Sequence, residues 1–217
     1  MDILAIISQK GGAGKTTLAV NLAVAAEMAD VPTVIIDLDP QASAKTWHDL
    51  RGKKDSPVVV SAQASRMQEV IEVAHSNGAE LVIIDTAPHS ESGALGAARA
   101  ADLILIPCRP AILDLKAIGT SGDLAALAKK EAVVVLNAVP HQGKLAEEAG
   151  EAVRGYGLSI APVRLTQRAA YVHSLTVGQA APEFEPTGKA AQEILELYKW
   201  TRIRVHASTH ESMRKTA

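Results

Sequence analysis

A chain of 217 residues with 47% hydrophobic residues is long enough to bury the core of one α/β domain. Its net charge of -2 and pI near 6.4 exclude a protein that coats nucleic acid through its whole surface, so any contact with DNA must be local. The single cysteine, Cys108, excludes an internal disulfide; with no leader-like N-terminus and no apolar run near the roughly 20 residues of a membrane-spanning helix, the chain is expected to be soluble and cytoplasmic.

The first apolar run, ILAIIS, predicts a strand that leads into QKGGAGKTT, residues 9–17. Strand, glycine-rich turn and helix in this order form a phosphate-binding context. Gly11, Gly12 and Gly14, with Ala13 between them, let backbone NH groups reach phosphate oxygens without a Cβ in the way. The helix that follows is read as 16–29, with Leu18, Leu22 and Ala25 on one face, and adds about half a positive charge at its N-terminus. Lys15 supplies a full charge to the β and γ phosphates, the Thr16 hydroxyl is a Mg²⁺ ligand, and Thr17 is placed for the α phosphate. A general loop of this type has Gly where this chain has Gln9 and makes no use of a lysine at position 10, so Lys10 needs its own explanation.

Pro32 restarts the chain as the strand TVIID, which ends on Asp37, with Asp39 two residues further on. VVVS is the next strand, and Ser65 is read as the N-cap of a helix closed by Gly78. LVIID ends on Asp85, where a Walker B carboxylate belongs, and LILIP, VVVLN and LSIAP follow. Runs that are apolar at every position suit strands covered on both faces, which predicts an α/β fold: a doubly wound, mostly parallel sheet with ligands at the carboxyl ends of its strands. Asp37 and Asp85 are then placed to hold Mg²⁺ directly or through water, and Asp39 to orient or deprotonate an attacking water. A last helix runs from 190 to about 205; residues 1–205 form the domain and 206–217 a polar tail read as flexible.

KGGAGKTT, DLDPQ and DTAP, in this order and spacing, resemble the deviant Walker A ATPases of the ParA/MinD superfamily, and LTQRAAYVHSLTVGQAAPEFEPTGKAAQEI looks most like the small plasmid-type ParA partition proteins. The resemblance implies a P-loop NTPase fold and Mg²⁺-dependent hydrolysis of ATP to ADP and phosphate. It also implies a homodimer that forms around two ATP molecules, in which Lys10 reaches the neighbour's phosphates and joins Lys15 and Asp39 in catalysis. DLDPQ and DTAP become switches that sense the γ phosphate. Asn137, ending VVVLN, matches a family contact to adenine, while Asn at a strand end is as often a turn former.

Further partners implied are nonspecific DNA, bound by the dimer near Lys199, Arg202 and Arg204 with Arg154, Arg164 and Arg168 as possible extensions, and a ParB- or ParG-like centromere-binding protein that stimulates hydrolysis. The ATP-bound form is then expected on the nucleoid. Two alternatives stay open: a MinD-like positioning ATPase for another cargo, and a metabolic synthase of the dethiobiotin or cobyrinate type. The amphipathic stretch LELYKWTRIRV is followed by a polar tail, which disfavours a terminal membrane anchor. Cys108 alone cannot supply the shared cluster of the nitrogenase iron proteins and reads as a small buried apolar residue. His206 and His210 are read as tail residues and not as a metal pair, Trp47 as packing, and Arg168 and Tyr171 receive no chemical role.

Overall fold

The structure is a computed structural model that describes residues 1–215, without the side chains of 112, 113 and 208–215. Seven strands form one sheet in the order β3-β2-β4-β1-β5-β6-β7: β1 (Asp2–Ile6), β2 (Thr33–Asp37), β3 (Val58–Ser61), β4 (Leu81–Asp85), β5 (Leu103–Cys108), β6 (Ala132–Leu136) and β7 (Ser159–Ile160). Every pairing among the described residues is parallel, as the fully apolar runs require. The chain moves from β1 outward to β2 and β3, returns through β4, and crosses to β5 on the other side of β1. The strand order therefore reverses above β1, and a crevice opens at the carboxyl ends there.

Register fixes what lies at that edge. Ile6 of β1 and Asp37 of β2 both pair with Asp85 of β4, so the two acidic strand ends stand side by side next to the residue that feeds the glycine loop.

Alternate β1 residues point to opposite faces and seed two cores. Leu4 and Ile6 pack with α1 (Lys15–Glu27), α7 (Ala169–Thr176), α8 (Ala181–Phe184) and α9 (Lys189–Lys215). Ala5 and Ile7 pack with α3 (Met67–Ser76), α4 (Glu91–Ala100), α5 (Ile112–Ala128) and α6 (Leu145–Gly155). Helix α1 is buried on all sides from Leu18 to Ala26. That is more than the one face expected, because Ala19, Ala23 and Ala26 are small enough for α9 as well as the sheet to approach.

Two helix boundaries differ from the sequence reading. Ser65 lies within a 3-10 turn, Ala64–Arg66, ahead of α3, and does not cap a helix with its side chain. Helix α9 runs on to Lys215, past the end of the apolar pattern at Val205, since 206–215 contain no Gly or Pro to stop it. His210, one half of the His206–His210 pair, and the basic residues Arg214 and Lys215 have side chains outside the described residues. Among the described residues no helix is long and apolar enough to cross a membrane.

Candidate nucleotide site

After β1 the chain passes through buried Ser8 into the loop. Gly12 (φ 74°) and Gly14 (φ 96°) take left-handed backbone angles, which curl the loop so that α1 starts directly at Lys15. The Lys15 ammonium is buried and donates to the Lys10 carbonyl at 3.4 Å. Burial lowers its pKa, while Asp85 and Asp39 act to raise it. A cation held this way, beneath open loop amides, is ready for a polyanion.

Thr16 donates its hydroxyl to Asp85 Oδ2 at 2.6 Å. Burial pushes the Asp85 carboxyl up to about 7, against the Thr16 hydrogen bond that lowers it, with Asp37 adding repulsion. The second oxygen, Asp85 Oδ1, is buried and has no hydrogen-bond partner. An orphaned carboxylate oxygen beside a threonine hydroxyl fits a hard divalent cation, which supplies the missing charge and coordination. Among the described residues there is no cluster of three or more His, Cys, Asp or Glu able to hold a metal alone.

Asp37 is occupied differently. Its Oδ1 accepts from the Asp39 amide at 3.0 Å, and its Oδ2 accepts from the Ala44 and Lys45 amides at 2.9 and 3.2 Å. The carboxylate thus shapes the 38–42 loop and the start of α2 (Ser43–Asp49). Burial raises its pKa against those backbone bonds. Asp39 is half-buried, accepts from Gln41 N at 2.9 Å, and lines a cavity of about 610 Å³ with Gly11, Gly12, Gly14, Lys15, Thr16 and Thr17.

Lys10 does not project outward from the loop. Its Nζ lies 2.7 Å from Asp114 Oδ2, on the first turn of α5, and Asp114 is buried. In the solitary chain the extra lysine is therefore a paired cation. Asn137 is likewise engaged: its Nδ2 donates to the Ala13 carbonyl at 2.8 Å and its Oδ1 accepts from Ala138 N at 2.8 Å. In this conformation it braces the phosphate loop and turns the chain, with one amide N–H and one oxygen lone pair still unused.

The remaining conspicuous residues make structural contacts, and two of them, Trp47 and Tyr171, also line the cavity. Trp47 is buried, donates Nε1–H to the Gln179 carbonyl at 3.0 Å and carries the Arg51 guanidinium 4.5 Å above its ring. Glu193 of α9 accepts from Thr166, Arg168 and Tyr171, which ties α7 and its approach to the last helix. Burial pushes Glu193 up, but these donors prevail and hold it below the ordinary glutamate range. Sequence reasoning singled out Arg168 and Tyr171 but not the carboxylate they share.

The basic residues of α9 sit at the other end of the sheet from the phosphate loop. Arg202 donates to the Tyr198 hydroxyl at 3.1 Å and lies 3.9 Å from Asp2, which opens β1. Arg204 is 2.6 Å from Glu131, just before β6, and Lys199 is exposed. Arg154 does not join them, because α6 packs on the opposite face of the sheet from α9.

Comparison with known proteins gives the same picture. The family described as the CobQ/CobB/MinD/ParA nucleotide binding domain matches residues 4–173. The chain is 40% identical over 114 residues to the Maintenance of carboxysome distribution protein A of Gloeobacter kilaueensis, covering 52% of this chain and 51% of that one. It is 33% identical over 115 residues to Protein ParA of Rhizobium radiobacter, covering 52% and 51%. Each of these alignments thus spans about half the length of the relative. Among solved structures, the MinD cell division protein of Aquifex aeolicus superposes with a TM-score of 0.77 at 19% identity, over 92% of this chain and 96% of that one. It shares the fold.

Proposed function

Because the chain belongs to the CobQ/CobB/MinD/ParA family of nucleotide-binding domains, we propose that it is a ParA-type ATPase whose nucleotide state controls pairing of two copies and DNA binding by the pair. With ADP it is solitary; with ATP it pairs, and hydrolysis resets it. The observation that carries the reading is a phosphate loop with two lysines in different settings: Lys15 is buried beside Thr16 and Asp85, and Lys10 is half-exposed and paired with Asp114.

The loop amides of residues 11–17 and Lys15 bind and orient the phosphates. Thr16 and Asp85, with Asp37 beside them, would hold a Mg²⁺ ion, which would supply positive charge against the phosphates. Asp39 orients the attacking water towards the terminal phosphate. Lys10 leaves Asp114 for the partner copy's nucleotide, so that one anionic contact of the lysine replaces another, and the contacts of the pair offset the cost of leaving Asp114 unpaired. At that position its charge offsets the repulsion between two triphosphates and stabilises the transferring phosphoryl group.

Asp39→Ala is expected to bind ATP normally, hydrolyse it at least about 100-fold more slowly, and accumulate as a paired ATP-bound form. Phosphate release together with size-exclusion chromatography checks this, and turnover at the wild-type rate removes Asp39 from the reaction.

For the pair, Lys199, Arg202 and Arg204 are the DNA contacts, with Arg202 and Arg204 exchanging Asp2 and Glu131 for backbone phosphates. The charge reversals Arg202→Glu and Arg204→Glu together should weaken DNA binding and flatten the salt dependence by about two units of log–log slope, close to 0.9 for each DNA phosphate that is no longer neutralised. Unchanged affinity in a filter-binding salt series assigns DNA binding to another surface.

The cargo that best fits the ParA-like sequence is a plasmid or other DNA, linked through a ParB- or ParG-like centromere-binding protein. A second reading, positioning of a protein compartment, is favoured by the 40% identity to a carboxysome-distribution protein. ATPase activity stimulated by DNA without any added metabolite supports both readings over a synthase.

A further inference from the structure

We propose that Arg109 is a third phosphate-binding cation of this site and contacts the terminal phosphate of the bound nucleotide. The inference rests on the nucleotide-binding reading given above. Strand β5 pairs directly with β1, so the residue that follows Cys108 emerges beside the phosphate loop. Cys108 and Pro110 are both buried, while Arg109 between them is exposed. The Arg109 carbonyl accepts hydrogen bonds from Ala111 N at 2.8 Å and from the Cys108 thiol at 3.2 Å. With its backbone pinned on both sides, the side chain lines the same cavity as Gly11, Gly12, Lys15, Asp39 and Pro88.

Charge gives the reason for it. Asp37, Asp39, Asp85 and Asp114 surround the loop, against only two ammonium groups, and one of those, Lys10, is already paired. Even with a divalent cation at Thr16 and Asp85, a triphosphate entering a site with this many carboxylates leaves negative charge that another cation can offset. Among the described residues no carboxylate lies in ion-pair range of Arg109. A guanidinium presents a planar fork of donors that matches two oxygens of one phosphoryl group, which an ammonium cannot do. Asp39 and Pro88, which share the cavity, belong to the two segments placed to sense the terminal phosphate, and this puts the contact there and not on the α phosphate. A lone arginine between Cys and Pro has no motif around it, which is why sequence reading passed over it.

The test is equilibrium titration with ATP and with ADP, plus steady-state ATPase kinetics, on the wild type, Arg109→Ala, Arg109→Lys and Lys15→Ala. Arg109→Ala is expected to lose about tenfold in ATP affinity, in line with a charge-assisted hydrogen bond, with ADP affinity within about twofold of wild type. Arg109→Lys should fall in between, because it restores charge but not the fork. The exposed position keeps the thermal midpoint unchanged. Equal ATP affinity and turnover in wild type and Arg109→Ala, with Lys15→Ala binding nothing, overturns the inference and leaves the nucleotide site standing. An equal loss for ATP and ADP also overturns it, since the contact is then not to the terminal phosphate. A wild type that binds neither nucleotide overturns both.

Discussion

Lys10→Ala is expected to keep ATP binding and to lose ATP-dependent pairing, with turnover down by roughly 10³-fold or more, the scale of a charge supplied across an interface. Binding survives because what Lys10 gives its own site is a backbone group: its carbonyl accepts from Lys15 Nζ, and alanine has the same carbonyl. What is lost is the ammonium now 2.7 Å from Asp114. Removing it strands a buried carboxylate, which costs about 1–2 kcal/mol once the partial exposure of Lys10 is discounted. The double variant Lys10→Ala, Asp114→Asn separates the two effects: it should regain the stability and leave pairing and turnover absent. Thermal midpoints, nucleotide titration and phosphate release on the three proteins check this. Restored turnover in the double variant would contradict a direct role for Lys10.

Gly14→Ala should severely weaken nucleotide binding with a smaller effect on the fold. At φ 96° an alanine is strained, and its Cβ would overlap Asn137 Nδ2. Asn137 cannot move aside freely, because its amide is bonded to Ala13 and Ala138. Left-handed strain of about 1–3 kcal/mol together with a displaced loop predicts an ATP affinity down by roughly 100-fold. Gly11 gives the contrast: a Cβ there meets nothing within 4 Å and its φ is not positive, so Gly11→Ala is expected to bind ATP within a few-fold of wild type. Adding Asn137→Ala to Gly14→Ala removes the overlap but not the strain, and should recover part of the stability without recovering binding. Isothermal titration with ATP and thermal midpoints of the four proteins measure these effects.

What was legible in the sequence follows from the range of the interactions involved. The strands, the phosphate loop and the two acidic strand ends are written in runs of five to ten residues. A buried parallel strand has to be apolar throughout, and a tight anion-binding turn has to carry glycine. The adjacency of Asp37 and Asp85 follows once β2 and β4 pair in register. The ion pair of Lys10 was not legible, because Asp114 lies 104 positions away and nothing local marks it as a partner. The same holds for Glu193, 25 positions from Arg168, and for Arg202 and Arg204, whose acids stand at the starts of β1 and β6. Asn137 at a strand end is compatible with two readings, and only the loop folded over it shows where its amide is bonded. The end of α9 was placed too early because a polar sequence without breakers carries no stop signal.

Everything functional here depends on nucleotide state setting the number of chains that travel together. Light scattering coupled to size exclusion, run on the Mg²⁺-loaded protein with ADP and then with ATP under conditions where hydrolysis is blocked, measures that number directly. The account predicts the mass of one 22.8 kDa chain with ADP and twice that mass with ATP. One chain in both runs, in a sample shown by titration to be saturated with ATP, would contradict it.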